Sequence, residues 1–131
     1  MRISKIRVFL GVMLSILCLF LLSTAANSQA IKTTVGDILS NPDQYDGKMV
    51  QVEAKVFLPH FKTSKNGNAY TTFKLEGDGQ FLSVFSFGTL SINGGDTVRV
   101  IGMYQKVKKV GRGRYTFYNE IDASHGSVEK L

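Results

Sequence analysis

The sequence predicts an all-β chain, a small closed or partly closed five-stranded barrel with a short N-terminal helix. Three observations predict it. From Lys48 onward the apolar residues recur with a period of two, that region has no long run at helical spacing, and glycines fall where strands must turn or bend. A five-stranded open sheet would leave two unpaired edges, which closure into a barrel removes. An immunoglobulin-like sandwich would want about seven strands and usually a buried tryptophan, and the chain has no tryptophan.

Before the barrel, Arg2, Lys5 and Arg7 precede an apolar run from Val8 to Leu22 that only Gly11 and Ser15 interrupt, and small residues follow. This is the layout of a secretory signal peptide. Ser28-Gln29-Ala30 supplies the small residues a cleavage site needs, so residues 1–30 are expected to be removed after Ala30, with Ala26 as the second choice. An uncleaved anchor is the alternative, since about 20 residues suffice to span a bilayer. After cleavage no stable membrane insertion is expected, and the product is periplasmic or extracellular. The single cysteine, Cys18, lies within the apolar run, leaving residues 31–131 without disulfide, thiol nucleophile or thiolate metal site. That length suits one domain with one modest core and excludes large multidomain enzymes.

Within the domain, Thr34 can cap a one- or two-turn helix whose Val35, Ile38 and Leu39 share a face before Asn41-Pro42 stops it. Val50, Val52, Ala54, Val56 and Leu58 then alternate with polar positions in a long strand that Pro59 is expected to end. Residues 59–68 read as a flexible basic loop ending in the turn pair Asn66-Gly67. Residues 69–76 and 80–87 flank Gly77-Asp78-Gly79 as an antiparallel hairpin, with Phe73 and Leu75 in the core. The second arm is apolar on both faces, Leu82 and Val84 on one and Phe81, Phe85 and Phe87 on the other, so it is either sandwiched or displays aromatics. Residues 88–95 form a loop. A strand over 96–107 carries Val98 and Val100 inward, and Gly102 marks a bulge or bend. A basic loop over 108–113, a last strand over 114–121 and a frayed tail over 123–131 complete the chain.

Gly47-Lys48-Met49-Val50-Gln51-Val52, the hairpin Phe73-Lys74-Leu75-Glu76-Gly77-Asp78-Gly79, and Gly95-Asp96-Thr97-Val98-Arg99-Val100-Ile101-Gly102 resemble strands one, two to three, and four of the OB-fold family. They are most similar to its tRNA-anticodon-binding-like branch and to small exported stand-alone bacterial members. The likeness covers residues 34 to 122. It implies a five-stranded Greek-key barrel and a binding protein whose ligand lies on strands two and three, between the loop joining strands one and two and that joining strands four and five. The fold itself serves oligonucleotides, oligosaccharides and proteins alike.

Charge is concentrated where that geometry would need it. Sixteen basic and ten acidic residues give the full chain +6, and residues 31–131 carry thirteen basic against ten acidic. Five of the thirteen, Lys106, Lys108, Lys109, Arg112 and Arg114, fall in nine positions. Cations on a glycine-rich tip can neutralise phosphates and release counterions; a solvated hairpin that discourages edge pairing is the other account. Phe61, Lys62, Lys65 and Tyr70 form a second basic and aromatic group, and single-strand binders stack bases on such rings. Tyr115, Phe57 and the phenylalanines of the third strand are further stacking candidates, while Phe85 and Phe87 could equally dock a protein partner.

Catalysis is not expected. His60 and His125 lie 65 positions apart with no carboxylate at a metal-ligand spacing. Glu76, Asp78, Glu120 and Asp122 read as strand-end carboxylates facing water, and no metal or cofactor is expected. The exported OB-fold haem chaperone of cytochrome c maturation attaches haem through a histidine beyond its barrel that a tyrosine follows. His125 is similarly placed, but Ser124-His125-Gly126-Ser127 lacks that tyrosine. The expectation is an exported, non-enzymatic protein that binds single-stranded nucleic acid or another anionic oligomer. A periplasmic protein-interaction or envelope-stress module is the alternative.

Overall fold

The computed structural model describes residues 29–131. The expected signal segment lies almost wholly outside the described residues. A short strand, β1 (Ile31–Thr33), runs parallel to the start of β2 and was not foreseen. Helix α1 (Val35–Ser40) follows, with the Thr34 hydroxyl accepting the Asp37 amide at 3.1 Å as its N-cap. Val35 and Ile38 are buried at one end of the barrel, and Val35 packs against Gly77 at the β-hairpin. Asn41 closes α1 by donating to the Asp37 and Ile38 carbonyls. Pro42 then opens a further short helix, α2 (Pro42–Tyr45), where its missing N–H costs nothing.

β2 (Met49–Thr63) turns Val50, Val52 and Val56 into the core as the alternation requires. It does not end at Pro59. The register slips between Phe57 and His60, and Leu58, at φ 50° and 54% exposed, is thrown outward instead of joining the core. Proline is tolerated at such a bulge because no ladder donor is needed there. The strand resumes with His60 to Thr63 paired to Thr72 to Ala69. The expected flexible loop therefore shrinks to a turn at 64–68.

β3 (Ala69–Gly77) and β4 (Gln80–Phe87) form the expected hairpin, with both Asp78 and Gly79 at positive φ as a type I′ turn demands. Phe73, Leu75, Leu82 and Val84 point inward, each fully buried apolar side chain contributing roughly 1.5–3 kcal/mol. The outer face of β4 displays aromatics: Phe81 and Phe87 are exposed. Buried Thr71 fixes the loop after β4 by donating to the Gly88 carbonyl and accepting the Leu90 amide.

β5 (Thr97–Val110) and β6 (Tyr115–Lys130) are longer than their sequence signals, so the first half of the basic segment 108–113 is strand and only 111–113 belong to the turn. β6 pairs antiparallel with β5 and parallel with β4, and β5 pairs with β2. The circuit β2-β3-β4-β6-β5 returns to β2, closing the five-stranded barrel.

The last residues are not a frayed tail. Ser127 to Lys130 pair with Ile101 to Val98, and the Leu131 amide donates to the Thr97 carbonyl. Arg99 ties this end down, lying 2.9 Å from Glu53 of β2 and 3.2 Å from Glu129 of β6. Opposite Gly102, β6 takes extra residues between Asp122 and Ser127. There the backbones meet: a Cβ on Gly102 would sit 2.5 Å from the Asp122 carbonyl oxygen, and one on Gly126 would collide with that of Ile101. The irregularity foreseen at Gly102 thus exists because a neighbouring strand crosses it.

Candidate nucleic-acid interface

Two long ribbons flank the outer face of β3 and β4. One is the outer end of β2 with its turn into β3; the other is the outer half of the β5–β6 hairpin. Between them lies a groove of about 430 Å³ bordered by Lys62, Tyr70, Thr72, Phe85, Phe87, Lys108 and Phe117. A smaller part of about 240 Å³ continues it past His60 and Lys74. The rings are coupled. Tyr70 and Phe85 have centroids 5.7 Å apart, and Phe87 meets Phe85 edge-on at 5.2 Å. Strand alternation produces this row, because Leu82, Val84 and Ser86 occupy the inward positions of β4. Further down the same face Phe57 and Phe81 form another pair, 5.2 Å apart.

The floor holds a charge cluster. Lys108 Nζ donates to Glu120 Oε1 at 2.8 Å and to Asp122 Oδ2 at 3.3 Å, and lies 4.8 Å from the Phe85 ring centre. Glu120 is only 5% exposed. These carboxylates do not face water at a strand end, because β6 continues past them and packs beside β4. Burial would lower the Lys108 pKa, yet the hydrogen bond and charge of Glu120, joined by Asp122, raise it. Burial would likewise raise Asp122, but hydrogen bonding to Ser124 and the charge of Lys108 bring it below the ordinary carboxylate value.

No protein-family model matches the chain, and no curated protein does. Solved structures do. The OB domain of Ta0387 from Thermoplasma acidophilum is 20% identical, superposes with a TM-score of 0.51, and the match covers 78% of this chain and 88% of that one. A chain in the crystal structure of yeast Stn1 and Ten1 is 11% identical with a TM-score of 0.56, over 79% of this chain and 64% of that one, so the match spans just under two thirds of the yeast chain. The fold is an OB-fold.

The groove occupies the face on which OB barrels hold their ligands, and the candidate residues divide around it. Lys62, Tyr70 and Lys108 border it together. Tyr115, cross-strand partner of groove-lining Val110, stands near the tip of the hairpin with Arg112 and Arg114, all exposed. Lys65 is exposed in the turn after β2. Phe61 is elsewhere: alternation turns it away from Lys62, and it borders the loop at 89–93. Lys106 is engaged with α2, its Nζ 3.0 Å from Asp43, and Lys109 alternates to the side of the ribbon opposite Lys108. Phe117 was missed, although its spacing from Tyr115 puts both on one face of a strand. His125 lies within β6, not beyond the barrel, and is exposed. Among the described residues no three or more His, Cys, Asp or Glu side chains form a metal-binding group.

Proposed function

We propose that this is an exported, non-enzymatic OB-fold protein that binds single-stranded nucleic acid in the groove over β3 and β4. The row of stackable rings between two ribbons, with cations on their rims, carries this reading. Bases would stack on Tyr70, Phe85, Phe87 and Phe117, each worth roughly 1–3 kcal/mol. Lys62, Lys65, Arg112 and Arg114 would meet the phosphates. Export is supported by the basic start and apolar run of residues 1–30. The residues that carry the OB resemblance are most like those of small exported bacterial members.

Lys108 is a poor phosphate contact because its ammonium is already shared by two carboxylates. The test is fluorescence anisotropy with a labelled strand of about fifteen nucleotides, titrated at several salt concentrations. The mature protein should bind with a steep salt dependence, and a Lys62/Arg112/Arg114 to Ala variant should lose about 2 from the log–log slope. Absence of binding at low salt would sink the proposal. The exposed Phe81 and Phe87 support a second reading, docking of a protein partner on β4. Pull-down with wild type and a Phe85/Phe87 to Ser variant tests it.

A further inference from the structure

We propose that the groove floor selects bases bearing an exocyclic amino group, cytosine foremost, over thymine, and that the Glu120 carboxylate makes the selection. This rests on the single-strand reading above. Glu120 borders both parts of the groove, although very little of it reaches water. Its Oε1 is taken by Lys108. An ionised carboxylate only accepts hydrogen bonds, so a group laid against it must donate.

The local charge sets the orientation of the strand. Glu120 and Asp122 share the Lys108 ammonium, which leaves that cluster with one net negative charge, while the groove's other charged side chains, Lys62 and Lys74, are cationic. Phosphates are repelled from the cluster and follow the cationic rims, and the bases turn inward over Tyr70 and Phe85. Cytosine then offers its N4 amino group, a recognised partner for a carboxylate. Lys108, fixed over Phe85, stands beside that carboxylate as a donor for the neighbouring ring acceptor. Thymine presents a carbonyl where cytosine has the amino group, and its single N–H is flanked by two carbonyl oxygens that the carboxylate repels.

The experiment compares oligodeoxycytidylate with oligothymidylate of equal length, which carry equal charge. Wild type should bind the cytosine strand about tenfold more tightly, and Glu120→Gln should bring the ratio close to one. A strand of N4,N4-dimethylcytosine removes the donors from the ligand and leaves the protein untouched, so its affinity should fall to that of thymine even if the variant folds poorly. Equal affinities, a preference for thymine, or a cytosine preference that survives dimethylation overturns the inference while the binding function stands. If neither strand binds at low salt, the single-strand reading fails and this inference fails with it.

Discussion

The Lys108 ammonium, held between Glu120 and Asp122 and over the Phe85 ring, cannot be removed without stranding the buried Glu120 carboxylate and the part-buried Asp122 beside it. Lys108→Met should therefore destabilise the fold by about 2 kcal/mol, the lower range for breaking an ion pair that is not wholly buried. Lys109→Ala, on the other side of the ribbon, should change stability by less than about 0.5 kcal/mol. Urea midpoints for the two variants measure the difference, and equal midpoints would refute the role given to Lys108. The run Lys106 to Arg114 shows five cations of one kind in the sequence. Three environments separate them: an ion pair with Asp43, a half-buried cluster, and open solvent. Partners more than ten residues away decide which is which, and no local pattern carries that information. Glu120 was misread for the same reason, since its burial depends on β4 lying alongside.

At the level of elements, period-two alternation was legible wherever one face of a strand meets the core. Val50 to Val56, Phe73 and Leu75, Leu82 and Val84, and Val98 and Val100 all followed it. It failed at strand ends, where the ribbons leave the barrel and both faces are exposed, so β2 and β5 ran beyond their apparent limits. The C-terminal segment was hardest to read because Ser124, His125, Gly126 and Ser127 look like a loop. Only their fit against Ile101 and Gly102 makes them strand. Removing residues 127–131 should strip the outer ladder from β5 and lower the melting temperature by at least about 4 °C, as expected for a loss of 1 kcal/mol or more in a domain of this size. A frayed tail would leave it unchanged, and differential scanning calorimetry distinguishes the two.

For the whole molecule, the shifted groups define a window of stability. Asp122 has a lowered pKa in the folded state, so its contribution is complete above its unfolded value near 3.8 and is lost as pH falls through the folded value. Lys108 has a raised one, so its contribution is complete below about 10.5 and is lost as pH rises past the folded value. Buried Tyr104, raised by desolvation and then by Asp46 and Asp43, adds to the alkaline loss. Urea midpoints should be flat near neutrality and fall at both extremes, with a shallower acid limb in Asp122→Asn. The parallel contact of β4 with β6 also governs how the chain reaches this state. Ser83 meets Glu120 and Phe85 meets Asp122, so the strand that closes the circuit is the last of the barrel's five in chain order. While the nascent chain extends from Phe87 to Asp122, β4 offers an aromatic edge with free backbone donors to any other chain nearby. Products that stop short of Asp122 are therefore open sheets prone to associate, and the arrival of Glu120 to Asp122 beside β4 ends that adhesiveness.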